Sequence, residues 1–190
     1  DKEFFDGDRN NGYGGFIYDG RWKSVASRIN ELYLKSPDTK FLQINCEKGF
    51  LLYDIANLNN LTKVFGTETS PYAIQESLKP IKANVIQAEP TRLPFEDNFF
   101  DYVVAIGTIY TLTLTDALKA LAEIVRVSKG NSFINLATYE TEEEYFLFKD
   151  WTLLGTLMFK RKEWIEILRS VNYEGHYYFT DSTSLNLIRK

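Results

Sequence analysis

The stretch Phe41-Leu42-Gln43-Ile44-Asn45-Cys46-Glu47-Lys48-Gly49-Phe50 decides the fold of this chain. A four-residue, mostly apolar run (Phe41–Ile44) is long enough for a short strand. It runs into a turn that ends in a glycine, and a helix opens over Gly49 to Ile55. The same alternation then repeats. Thr62 to Gly66 reads as the second strand. Ser70-Pro71 supplies an N-cap with proline at the first helical position, and Tyr72 to Leu78 follows as helix. Asn84 to Gln87 is the third strand, and a proline-marked loop occupies Glu89 to Asn98. Tyr102 to Ile106 is apolar throughout, as a strand buried on both faces should be. Thr115-Asp116 is read as the cap of a helix carrying Leu118, Leu121, Ala122 and Val125, with Gly130 as its stop, and Ser132 to Ala137 is the fifth strand. Helices over roughly 141–150 and 162–171 follow, and segments near 153–159 and 176–180 are read as the last two strands. Repeated strand–helix units with short connections predict a parallel sheet covered by helices on both faces. Ligands of such sheets bind beyond the carboxyl ends of the strands, so the loops after strands one to four are the place to look.

Upstream, Trp22, Val25, Ala26, Ile29, Leu32 and Tyr33 fall on one helical face, which Ser36-Pro37-Asp38 ends. Before it, Asp6 to Gly15 is rich in Gly, Asp and Asn and reads as loop. The chain has 190 residues, which predicts a single domain over 1–190, with 1–20 as a lid or loop segment and 40–138 as the core. Disorder is excluded by 44% hydrophobic and 15% aromatic content. No apolar run approaches the ~20 residues of a membrane span. A single Cys cannot close an internal disulfide, and with a single His it makes no conventional zinc site. The expectations are a reducing cytoplasmic setting and no metal. A net charge of -4 without a basic tract argues against nucleic acid as partner.

Three pieces in order carry the chemistry. Asn45 to Gly49 can bring backbone N–H groups to a ligand. Glu68, 19 residues past Gly49, stands at the end of the second strand, where a carboxylate can accept from ribose hydroxyls. Glu89, in Ala88-Glu89-Pro90-Thr91-Arg92-Leu93-Pro94-Phe95, can accept from an exocyclic adenine amine, with Leu93 and Phe95 able to cover the ring. Together with Leu93-Pro94-Phe95-Glu96-Asp97-Asn98-Phe99-Phe100-Asp101 and Ala120 to Gly130, these pieces resemble the class I S-adenosylmethionine-dependent methyltransferases, of the methyltransferase-11-like kind. Tyr13-Gly14-Gly15 and Asp19-Gly20-Arg21-Trp22 are similar to a subgroup associated with bacterial surface-carbohydrate clusters.

The resemblance implies a Rossmann-like α/β fold with seven mostly parallel strands, the last antiparallel. It implies S-adenosylmethionine as cofactor, held by Asn45, Cys46, Glu47, Gly49, Glu68, Thr69, Glu89, Pro90 and Ile106. The acceptor is expected to be a small molecule or a carbohydrate, methylated on oxygen or nitrogen. Within the motif the family's acid is Gln43 here, its first glycine is Asn45 and its middle glycine is Glu47. Tyr13, Tyr18, Trp22 and Tyr110 are the candidates for the acceptor pocket. Tyr110 stands where many family members carry His, and a phenol with a pKa near 10 is a poor base at neutral pH. No catalytic residue is evident, because methyl transfer from a sulfonium needs positioning first. His176 is read as structural, Cys46 as a neutral lining residue and Glu142-Glu143-Glu144 as a solvated first helical turn. Two other readings stand beside this one. One is a methyltransferase-like domain that acts only as a binding or partner subunit. The other is a short-chain dehydrogenase, from Tyr145…Lys149 with Ser132 upstream, which lacks that family's glycine-rich turn.

Overall fold

The computed structural model describes residues 1–188. Six strands form one sheet in the order β3-β2-β1-β4-β5-β6: β1 is Lys40–Ile44, β2 Lys63–Glu68, β3 Val85–Gln87, β4 Tyr102–Ala105, β5 Ser132–Ala137 and β6 His176–Thr180. Every pairing is parallel. The helices are α1 Lys2–Asp6, α2 Lys23–Tyr33, α3 Phe50–Leu58, α4 Pro71–Gln75, α5 Leu114–Val127, α6 Glu142–Trp151 and α7 Arg161–Ser170.

Strand alternation sorts the core into two layers. Leu42 and Ile44 of β1, with Val103 and Ala105 of β4, pack against Ala117, Leu121 and Ile124 of α5 and Trp164 of α7. Phe41, Tyr102 and Val104 face the other way, onto Ala26 and Ile29 of α2 and Leu51, Leu52 and Ile55 of α3. A period of two along each central strand thus needs apolar residues at every position, which is why β4 reads as an unbroken apolar run. Connections leave β1 toward β2 on one side and reach β4 on the other, so the strand order reverses between β1 and β4.

Four expectations are corrected. The sheet has six strands, not seven, and its last strand is parallel, not antiparallel. Residues 153–159 form no strand. Thr156 and Leu157 donate their N–H groups to the Tyr110 carbonyl, at 2.9 Å each, so neither is free for a ladder; only Phe159 makes a bridge, to Thr138. With that segment out of the sheet, α6 and α7 serve as the crossover from β5, and a crossover returns the chain parallel. The N-terminal segment is not all loop: α1 is followed by a 3₁₀ turn at Arg9–Asn11, and Phe5 and Phe16 are buried. Finally, α5 is capped by Thr113, not Thr115. Thr113 has Asp116 three residues on, and its hydroxyl accepts the Asp116 N–H at 3.2 Å. Among the described residues no helix is long and apolar enough to cross a membrane.

Candidate functional site

The turn after β1 has an unusual backbone. Asn45, Glu47 and Gly49 lie at φ 51°, 55° and 73°, three left-handed positions in five residues. Asn tolerates this region; Glu pays about 1–2 kcal/mol to enter it. Gly49 suits this backbone, and a Cβ there would come within 2.4 Å of Ile81 Cδ1, so that side chain would have to shift. The turn is tied down by its own N–H groups. Cys46 donates to the Thr67 carbonyl at 2.9 Å, Gly49 to the Cys46 carbonyl at 2.8 Å, and Glu47 to Glu68 Oε2 at 2.8 Å. Cys46 is buried, and its thiol is pushed well up by that burial and by the neighbouring Glu68 and Glu47. It is a neutral wall residue.

Glu68 is 4% exposed and anchors the turn. Its Oε1 accepts from the N–H groups of Thr69 and Ser70, at 2.9 Å each, and its Oε2 from Glu47. A carboxylate has about four acceptor positions. With the weaker Thr69 hydroxyl contact to Oε1 at 3.3 Å, Oε2 retains one. In the same turn, the Asn45 Oδ1 is buried without a hydrogen-bond partner. The acceptors of this corner therefore suit a ligand that brings hydroxyl or ammonium donors, as an adenosyl amino acid does.

At the end of β3, Ile86, Gln87, Ala88, Leu93, Pro94 and Phe95 line an open groove of about 630 Å³. Pro90 is buried and Glu89 is exposed beside this loop, its carbonyl accepting from Arg92 N–H at 3.1 Å. Leu93 faces the core; its N–H donates to Glu123 at 2.6 Å, while Arg126 donates to the Leu93 and Phe95 carbonyls. The Leu-Pro-Phe loop is thus clamped by α5. Across the switch point, half-buried Ile106 is followed by Gly107 at φ 72°, whose N–H donates to Asn135 Oδ1 at 2.7 Å. Thr108, fully buried, donates to the Ile44 carbonyl at 3.3 Å and stitches the ends of β1 and β4 together.

The N-terminal segment lies over the turn. Lys48, 6% exposed, points into this segment. Its ammonium donates to both Asp6 oxygens, at 2.6 and 2.8 Å, and to the Phe16 carbonyl at 3.0 Å. Tyr72 also donates to Asp6 at 2.6 Å. Burial alone would raise the Asp6 carboxyl, but Lys48, Tyr72 and the Phe16 N–H hold it at about 2. Phe16 stacks on Phe50 with ring centroids 4.7 Å apart. The Tyr13 hydroxyl donates to Glu47 Oε1. Burial pushes Glu47 up to about 7, the Tyr13 hydrogen bond lowers it, Glu68 raises it and Arg21 lowers it. Burial and Glu47 together hold the phenols of Tyr13 and Tyr110 above their ordinary value, so both stay protonated donors.

Of the four acceptor-pocket candidates, Tyr13 and Tyr110 converge on Glu47. Tyr18 and Trp22 do not. The Tyr18 hydroxyl donates to Asp54 on α3 at 2.5 Å, and Trp22 caps α2 and packs into the apolar layers beside it. Thr69 is half-buried at the α4 entrance. His176 sits exposed at the start of β6, the end of the sheet opposite the turn, and its carbonyl accepts from Tyr173. Reading the sequence missed Asp6, Lys48, Thr108 and Asn135. For the first pair, a lysine inside a ligand turn was the available signal. Among the described residues no group of three or more His, Cys, Asp or Glu is gathered as a metal site would need.

Residues 42–135 match a family model described as a methyltransferase domain. Over β1 to β5 the chain is thus similar to methyltransferase domains. A curated Haemophilus influenzae protein without assigned function is 29% identical over 106 residues, 52% of this chain and 42% of that protein. The chain thus spans less than half of that relative. Among solved structures, YcgJ of Bacillus subtilis superposes with a TM-score of 0.64 at 15% identity, over 78% of this chain and 67% of that one. An S-adenosylmethionine-dependent methyltransferase of Thermotoga maritima gives 0.55 at 18%, over 79% and 70%. The [4+2]-cyclase SpnF gives 0.62 at 16%, over 78% and 57%. These likenesses show a shared Rossmann-like α/β fold, and the cyclase among them illustrates that the fold leaves the chemistry open.

Proposed function

We propose that this protein is an S-adenosylmethionine-dependent methyltransferase acting on a small-molecule or carbohydrate acceptor. One observation carries the reading. The turn between β1 and α3 has left-handed backbone, the conformation glycine favours, at Asn45, Glu47 and Gly49, although only the last is glycine. It does so at the switch point, beside Glu68 and the groove at the end of β3. In this reading Oε2 of Glu68 accepts from a ribose hydroxyl, Asn45 Oδ1 receives the ammonium end, Glu47 lies beside the sulfonium, and the groove by Ile86, Ala88 and Phe95 takes the adenine, with Glu89 at its rim. The bound cofactor supplies a methyl group already activated by its sulfonium. The chain's task is then to align an acceptor and exclude water. Tyr13, whose hydroxyl is held by Glu47, and Tyr110, whose phenol stays protonated, orient an acceptor heteroatom rather than deprotonate it. The acidic net charge suits a small acceptor better than a nucleic acid, and the Tyr13–Trp22 motif is our ground for favouring a bacterial surface-carbohydrate acceptor.

Calorimetry with S-adenosylmethionine tests the reading. The wild type should bind, and Glu68→Gln, which loses one acceptor oxygen but keeps its size, should bind at least about tenfold more weakly, since a hydrogen bond to a charged group contributes about 1.5–3 kcal/mol. One observation favours the alternative of a silent partner domain: most of Glu68's acceptor capacity is already engaged by the turn. Absence of binding by the wild type would decide for that alternative.

A further inference from the structure

We propose that Glu47 makes this cofactor site selective for the charged sulfonium over the neutral thioether that methyl transfer leaves behind. The inference rests on the reading of the site given above and goes beyond it to a property that glycine at this position would not provide. In methyl transfer a lone pair of the acceptor heteroatom forms the bond to the CH₃ group, the electron pair of the broken C–S bond stays on sulfur, and the proton of the methylated heteroatom leaves to solvent. The bound ligand thereby loses one positive charge and little else. A site that senses this charge binds the reactant and releases the product.

The turn is built to sense it. Glu47 stands where a glycine-rich loop has no side chain, and it accepts the strain of φ 55° to do so. Its carboxylate is held by the Tyr13 hydroxyl. The N–H groups of Cys46, Glu47 and Gly49, which in an open loop would meet a ligand's anionic groups, are all engaged within the protein. The turn's own cation, Lys48, is engaged by Asp6 and the Phe16 carbonyl. The side-chain oxygens that the turn gathers are those of Glu47, the open position on Glu68 Oε2 and the unpartnered Asn45 Oδ1. All are acceptors. The charged groups around Glu47 are Glu68 on β2 and Arg21 before α2, and Arg21 is engaged by Asp19 at 2.7 Å. A partly buried carboxylate acts on a unit charge across several ångströms, because the surrounding dielectric is well below that of water.

The test is calorimetry on the full chain at pH 8 with S-adenosylmethionine, S-adenosylhomocysteine and methylthioadenosine, which carries the nucleoside without the amino-acid end. The wild type should bind S-adenosylmethionine at least about tenfold more tightly than S-adenosylhomocysteine. In Glu47→Gln and in Glu47→Gly, which suits the left-handed backbone, the two affinities should agree within about threefold. Equal binding of the two by the wild type, or an unchanged ratio in both variants, overturns the inference while methylthioadenosine binding leaves the site itself standing. If none of the three binds the wild type, the reading of the site falls and the inference with it.

Discussion

Glu47 is a charged residue in a place that penalises charge, and its protonation should be visible in stability. Its carboxyl rises from an ordinary 4.5 to about 7, chiefly through burial. Between those values the folded protein holds a proton that the unfolded chain has released. Stability therefore falls as pH climbs through this window and stays lowered above about 7. Glu47→Gln removes the titration while keeping an oxygen for Tyr13. The variant should melt higher than the wild type at pH 8, with the advantage shrinking toward pH 5. A difference in melting temperature that is the same at both values would show that Glu47 is not the group that titrates. Asn45 makes the contrast at the same scale: it takes the same backbone geometry with no charge, so the turn can be kept without glycine at modest cost.

At the scale of elements, the segment before α2 is held to the turn chiefly by one buried ion pair and an aromatic stack. Removing one partner of such a pair leaves a stranded charge. Lys48 is the more deeply buried partner, its side chain 8% exposed against 24% for Asp6. Asp6→Ala should therefore cost about 2–4 kcal/mol, read from denaturant melts, and should speed proteolysis of residues 1–20. The double change Asp6→Leu with Lys48→Met should cost less than Asp6→Ala, because it strands no charge. If it costs more, the segment is held by apolar packing alone. For the same reason, deletion of residues 1–19 should lower the melting temperature, since it uncovers Phe50 and leaves Lys48 unpaired. This attachment was not legible in the sequence. Asp6 and Lys48 are 42 residues apart, and α1 is a five-residue helix held by the burial of Phe5 rather than by its own propensity. The central strands were legible, because two-sided burial writes itself as apolar runs in Phe41–Ile44 and Tyr102–Ala105. Residues 153–159 misled, because apolar residues that pack against Tyr110 look the same in sequence as those that join a sheet.

At the scale of the whole molecule, the groups a divalent cation would need are dispersed or already engaged. His176 lies at the opposite end of the sheet from the turn, and Cys46 keeps its proton. Glu47 and Glu68 meet at the turn, but one is bonded by Tyr13 and the other by three backbone N–H groups. Binding a metal between them would break those bonds and unfasten the turn that shapes the site. In the function proposed above, an in-line displacement from a sulfonium would rest on a fixed turn after β1, a covering segment and phenols that stay protonated, with no ion among them. Methyl transfer, assayed with labelled S-adenosylmethionine against a panel of small-molecule and carbohydrate acceptors, should therefore persist in EDTA and be unchanged by added magnesium. Loss of turnover in EDTA that magnesium restores would mean that Glu47 and Glu68 exchange their present partners for a metal. The Tyr13 hydrogen bond would then belong to a resting arrangement, and the acceptor would be positioned through the ion instead of by the phenols.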